Sequence, residues 1–251
     1  MGALHHGHLT LVRQSLAECG VTVCSIFVNP TQFNDAGDLE RYPRTPEKDR
    51  EMLEKTGCQA LFLPETAEIY PENGVIESPD LSEITGILEG AHRPGHFKGV
   101  AQVVRRFFEI VEPDRAYFGS KDYQQVMVIR ELVKRLMLDI RIISCPIIRE
   151  ADGLAMSSRN ALLSADERKV ASVIPAMMSG AAETARTEGV AAAIEFVNAS
   201  LAQNTGLRLD YYTICDPATL RPLKDDSVVA GAVALIAVWV GKIRLIDNCV
   251  I

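Results

Sequence analysis

The stretch FKGVAQVVRRFFEIVEPDRAYFGSKDYQQVMVIRELVKRLMLDIRIISCPII, residues 97–148, decides the fold class. FKGVAQVVRRFFEIV reads as a helix, RAYFG as a strand, DYQQVMVIRELVKRLML as a long helix and DIRIISCPII as a strand again. The same alternation runs upstream. In residues 9–19, Leu9, Val12, Leu16 and Cys19 recur at helical spacing. A glycine stop and the β-branched run GVTVCSIFVNP follow, so a helix feeds a buried strand. TPEKDREMLEKTG predicts another helix, with Thr45 as N-cap and Gly57 as its stop, and CQALFLP the next strand. Alternation over roughly the first 147 residues implies a parallel sheet with helices on both faces. Such sheets bind ligands at the carboxyl ends of their strands. FVNPTQF and YFGSKDYQQ are both strand-exit loops of that kind.

After residue 150 the texture changes. SADERKVASVIPAMMSGAAETA and GVAAAIEFVNASLA are Ala-rich helical stretches. LRLDYYTICD, the apolar run from Val228 to Gly241 and KIRLIDNCVI read as strands, the last two joined by a Gly-Lys turn. The expected architecture is a Rossmann-like doubly wound α/β domain over residues 1–147 and a smaller α+β domain over 148–251.

Composition narrows the function class. A net charge of −7 argues against a general nucleic-acid binder, which normally carries a basic surface. The Val228–Gly241 run is too short to span a bilayer as a helix, and no signal peptide stands at the front. Cys19, Cys24, Cys58, Cys145, Cys215 and Cys249 are scattered without a C-x-x-C pair. They read as free, largely buried thiols in a reducing, cytoplasmic setting.

Two polar stretches carry chemistry. MGALHHGHLT places His5 and His8 three residues apart around Gly7. If Thr10 lies in the first helical turn, both imidazoles sit near a helix N-terminus, which favours an anion such as phosphate. The alternatives are a solvated cluster at a frayed end, or a metal site, for which no Cys, Asp or Glu lies near in sequence. The second stretch is DGLAMSSRN, residues 152–160. Ser157 and Ser158 offer donors and Arg159 a planar fork suited to phosphate; the competing reading is a polar turn before the helix that follows Ser164.

Together the two resemble the paired motifs of the HxGH nucleotidylyltransferase and class I aminoacyl-tRNA synthetase superfamily. Within it, MGALHHGHLTLV, SIFVNPTQF, RYPRT, HRPGHFKGV, FGSKDYQQ, READGLAMSSRN and DYYTICD occur in the order found in the pantothenate synthetase (pantoate–β-alanine ligase) family. The resemblance covers the chain from Met1 to the last strand. It implies ATP-dependent condensation of pantoate with β-alanine through a pantoyl adenylate, releasing pyrophosphate and then AMP. It also implies a homodimer, with no nucleic acid or membrane partner.

The resemblance assigns His5, His8 and Lys121 to the phosphates and transition state, and Ser157, Ser158 and Arg159 to the β- and γ-phosphates. Asp122 is expected on the ribose. Gly119 and Ile148 would face the nucleoside through their backbones, and Met1 and Met156 would border the nucleotide. Gln32 and Gln125 would anchor the pantoate hydroxyls, with Met1 and Phe33 on its apolar side. Glu89, Arg93 and His96 border the site, as a β-alanine or loop contact. Residues 34–42, NDAGDLERY, look like a lid. Mg²⁺ is expected to be held mainly by the ATP phosphates, with no dedicated protein cage.

Two departures stand out. Ser120 replaces the family's usual Glu beside Lys121, and the strand and Pro-Thr that precede MGAL in the family do not appear before Met1. A segment upstream is expected on that ground. The competing readings are an adenylyltransferase for another small acid, a synthetase fragment, a shortened inactive copy and a metal-binding protein. The Gln32 and Gln125 pair argues against the first of these.

Overall fold

The computed structural model describes residues 1–71, 76, 78–224 and 231–251. The chain divides into two compact units, Met1–Pro146 and Ile147–Ile251.

The first unit runs α1 (His6–Glu18), β1 (Val23–Ser25), α2 (Ala36–Arg41), α3 (Pro46–Thr56), β2 (Ala60–Phe62), three short helices α4 (Thr66–Ile69), α5 (Ser82–Thr85) and α6 (Glu89–His92), then α7 (His96–Val111), β3 (Arg115–Gly119), α8 (Tyr123–Arg135) and β4 (Arg141–Cys145). β1 pairs with β2 and β3 with β4, both in parallel, with Val23 opposite Ala60 and Arg115 opposite Arg141. The mixed α/β class with parallel strands is therefore present. Among the described residues the strands form two separate pairs and not one continuous ladder. On the edge of β1 away from β2, the Met1 nitrogen donates to the Ser25 carbonyl (3.0 Å) and the Phe27 N–H to the Met1 carbonyl (2.9 Å). That is the bonding pattern of a parallel ladder.

Helix α7 shows why the opening stretch folds as it does. Phe97, Val100, Ala101, Val104 and Phe108 share one face and are buried with Val128, Ile129 and Leu132 of α8. A second cluster joins Leu4, Leu9 and Val12 to Cys24, Ile26 and Leu53, which fixes α1 against β1 and α3. α3 keeps its expected limits, because Gly57 takes the left-handed conformation (φ +84°) that closes a helix end. α8 stops three residues short of the expected Leu138. Met137 turns left-handed (φ +51°), and the Leu138 N–H reaches back to the Val133 carbonyl (3.0 Å).

The second unit runs α9 (Ala165–Ala171), α10 (Val173–Glu188), α11 (Val190–Gln203), β5 (Leu207–Cys215), β6 (Val233–Val240) and β7 (Ile243–Val250). The three strands form an antiparallel sheet in the order β5-β6-β7. Residues 228–230 of the apolar run lie outside the described residues; β6 begins at Val233 and is buried along almost its whole length. The single helix expected from residue 164 onward is broken at Ser172. Pro175 then sits in the first turn of α10, where its missing N–H has no intrahelical partner to lose. Cys24, Cys145 and Cys215 are buried, and all six thiols are free.

Candidate active site

The first set of donors is built on the start of α1. The helix begins at His6, four residues before Thr10, so His5 is the N-cap and His8 the third residue of the helix. The Thr10 hydroxyl is turned back onto the Gly7 carbonyl (2.7 Å). The His5 and His8 rings stack with centroids 3.9 Å apart and 26° between planes. The His5 N–H points at His8 Nδ1 (3.4 Å), which leaves Nε2 as the protonated, donating nitrogen. Enclosure by the protein holds the His8 pKa well below the usual histidine range, and positive charge at His5 and Lys121 acts in the same direction. His8 is therefore a neutral hydrogen-bond donor at neutral pH. Lys121 lies in a short 3₁₀ turn (Ser120–Asp122) between the end of β3 at Gly119 and α8. A strand exit thus delivers a cation to the neighbourhood of the helix start.

The second group gathers around the NPTQ turn. Asn29 is 2% exposed, and its Oδ1 accepts from the Tyr70 hydroxyl (2.7 Å), the Thr31 hydroxyl (3.0 Å) and the Thr31 N–H (3.3 Å). Its Nδ2 donates to the Gly99 carbonyl (3.1 Å) and to Gln32 Oε1 (3.4 Å). The Gln32 carbonyl lies 2.8 Å from His96 Nδ1 and accepts from an Arg93 N–H (3.4 Å). Arg93 pairs with Glu89 at 4.0 Å. Burial lowers the His96 pKa to about 4, with Arg93 adding to the effect and Asp122 and Glu89 opposing it. The structure therefore brings Gln32, Glu89, Arg93 and His96 together, within electrostatic reach of Asp122. A Cβ at Gly99 would stand 2.5 Å from the Thr31 carbonyl oxygen, so only glycine lets α7 approach this turn so closely. Phe33, the residue just before the 34–42 segment, meets Tyr42 at the segment's end edge-to-face (5.5 Å), with α2 between them. Gln125 stands on the first turn of α8. Met1 packs on the cluster around Leu4 and Cys24.

In the second unit, Ser157 caps a 3₁₀ turn (Ser158–Leu162), its Oγ accepting from the Arg159 N–H (3.2 Å). Asn160 Nδ2 donates to Glu150 Oε1 (2.7 Å) and the Ala155 carbonyl (3.1 Å). Arg168 of α9 holds Glu150 (3.2 Å) and Asp152 (2.7 Å), and Arg149 grips buried Asp247 with two N–H groups (2.7 and 3.0 Å). The Met156 N–H is bonded to the Ile148 carbonyl (2.9 Å), so that carbonyl serves the turn's own frame.

Sequence reasoning gave no role to Asn29, Asp49, Gln124, Glu150 or Arg168. Gln124 is 4% exposed; its Oε1 accepts the Glu89 N–H (3.0 Å) and its Nε2 donates to the Ile84 and Ile87 carbonyls (2.7 and 2.8 Å). Asn29 could have been found from its Asn-Pro turn signal; the others carry no local signature.

The pantoate–β-alanine ligase family profile matches residues 1–250. A pantothenate synthetase from Porphyromonas gingivalis is 48% identical over 249 residues, which is 99% of this chain and 88% of the relative. One from Bacteroides fragilis is 47% identical, with the same shares. The crystal structure of pantothenate synthetase from Thermus thermophilus superposes with a TM-score of 0.94 at 44% identity, over 99% of this chain and 90% of that one. The pantoate–β-alanine ligase of Francisella tularensis, complexed with β,γ-ATP and β-alanine, superposes with a TM-score of 0.81 at 36% identity, over 100% and 87%.

Proposed function

The chain belongs to the pantoate–β-alanine ligase family, and we propose that His5, His8, Lys121 and the Ser157–Arg159 turn are the phosphate-handling groups of its reaction. The enzyme joins pantoate to β-alanine at the expense of ATP. A pantoate carboxylate oxygen attacks the α-phosphorus, the bond to the β-phosphate oxygen breaks, and pyrophosphate leaves. The β-alanine nitrogen then attacks the acyl carbon, loses a proton and expels AMP. Negative charge grows on phosphate oxygens in the first step, so the site needs aimed donors more than a nucleophile.

The observation that carries this reading is the stacked His5–His8 pair. A neutral His8 with its Nδ1 engaged offers Nε2–H to a phosphate oxygen at no protonation cost. Lys121 supplies the point charge, and the Arg159 fork the bidentate contact. Gln32 and Gln125 take the pantoate hydroxyls, with Met1 and Phe33 against its dimethyl group. Asp122 binds the ribose; Gly119, Ile148 and Met156 border the nucleoside; Glu89, Arg93 and His96 frame the β-alanine side. Mg²⁺ enters with ATP, held mainly by the phosphates and water, as a small, strongly hydrated cation bound to a triphosphate is. We place the enzyme in the cytoplasm as a homodimer, on the family resemblance and on six scattered cysteines that suit a reducing compartment.

The test is ATP–pyrophosphate exchange without β-alanine. Exchange that requires pantoate supports the assignment; equal exchange with unrelated hydroxy acids contradicts it.

A further inference from the structure

We propose that Asp49 is a positioning residue for the phosphate-contacting histidines, its buried carboxylate setting the backbone from which they project. The inference rests on the role given above to His5 and His8. Asp49 is 1% exposed on α3. Its Oδ2 accepts the Ala3 N–H (2.8 Å), and its Oδ1 accepts the Leu4 N–H (2.7 Å) and the Thr45 hydroxyl (3.0 Å). A carboxylate removed from water has to be satisfied by strong donors, and these three supply them.

Ala3 has φ +47°, a left-handed conformation unfavourable for a residue with a Cβ. That turn brings two successive N–H groups onto one carboxylate, a concave arrangement that suits an anion. The path to the chemistry is short. Leu4 precedes the N-cap His5, whose N–H meets His8 Nδ1. Moving the Ala3–Leu4 amides therefore moves the stacked imidazoles. Asp49 touches neither ring, so it acts through the backbone alone.

The near-isosteric Asp49→Asn keeps the volume but turns an NH₂ toward one of the donors. Its kcat for pantoate-dependent ATP–pyrophosphate exchange is expected to fall about 10- to 100-fold, as sub-ångström to ångström misplacement does. The KM for pantoate should be unchanged, and the His8 imidazole ¹⁵N signals should shift. A folded Asp49→Asn with unchanged kcat, or with activity lost only in proportion to unfolded protein, overturns the proposal. Should that variant not fold, Thr45→Val is read in the same way. It removes one hydroxyl from Oδ1, and a several-fold lower kcat with a shifted His8 signal is expected; an unchanged kcat overturns the proposal. Pantoate-dependent exchange by the unaltered enzyme separately tests the underlying reading.

Discussion

The His5–His8 start of α1 and the Ser157–Arg159 turn are both short runs of donors, but they are held in opposite ways. The first is fixed from beneath. Asp49 is buried under its backbone, Leu4 and Leu9 are packed in a core, and the two rings lie on each other. The second is held from its rim, by a partly exposed network of Glu150, Asp152 and Arg168, whose side chains keep 34%, 33% and 28% of their exposure. Buried, hydrogen-bonded anchors are rigid and intolerant of change. Half-exposed ion pairs are weaker and screened by salt. A rigid donor pair suits charge development in a transition state, whereas a softer turn suits gripping and releasing phosphates.

That contrast orders the expected effects. His8→Ala and Lys121→Ala should each lower adenylate formation by about 10²- to 10³-fold, the usual cost of removing an aimed donor. Circular dichroism should remain that of the unaltered protein; unchanged turnover in either would break the phosphate assignment. Arg159→Lys keeps the charge and loses the fork, so a fall of about 10-fold, expressed mostly in the KM for ATP, is expected from steady-state kinetics. Arg168→Met, one step removed from the turn, should cost only a few-fold in the same assay. Salt should separate the two regions further. Between low and high NaCl, hydrogen exchange at the Asn160 amide should speed up while the Ala3 and Leu4 amides stay protected. Equal responses would show that the two are held alike.

The smallest effect near neutral pH comes from the buried histidines. The His96 pKa is about 4, below its unfolded value, so the unfolded chain binds more protons between the two. Stability is full above the unfolded pKa of about 6.5 and falls by about 1.4 kcal/mol per pH unit per group as pH drops through that window toward 4. His8 acts with the same sign. Denaturant melts of His96→Asn should show a shallower decline on the acid side.

Much of the fold was legible because local signals agreed with tertiary demands. Strand β3 coincides with RAYFG, and α3 ends at Gly57, where the left-handed residue leaves the chain no helical continuation. The break at Ser172 was not legible, since Pro175 fits the first turn of a new helix as readily as it interrupts an old one. The start of α1 lies earlier than the pattern of apolar residues indicates, because a histidine is an unusual N-cap. The site divides in the same way. Its donors stand in contiguous motifs, whereas their supports do not. Asp49 lies 45 residues from Leu4, inside a charged run, EKDRE, that reads as a solvated helix face. Gln124 looks like a twin of Gln125 until the fold sends it inward to the Glu89 backbone.

In the proposed reaction a pantoate carboxylate oxygen attacks the α-phosphorus of ATP. Pantoate labelled with ¹⁸O in both carboxylate oxygens tests it in one turnover with β-alanine. One labelled oxygen should appear in AMP and the other in the amide carbonyl of pantothenate. Label in inorganic phosphate, or AMP without label, would contradict the account.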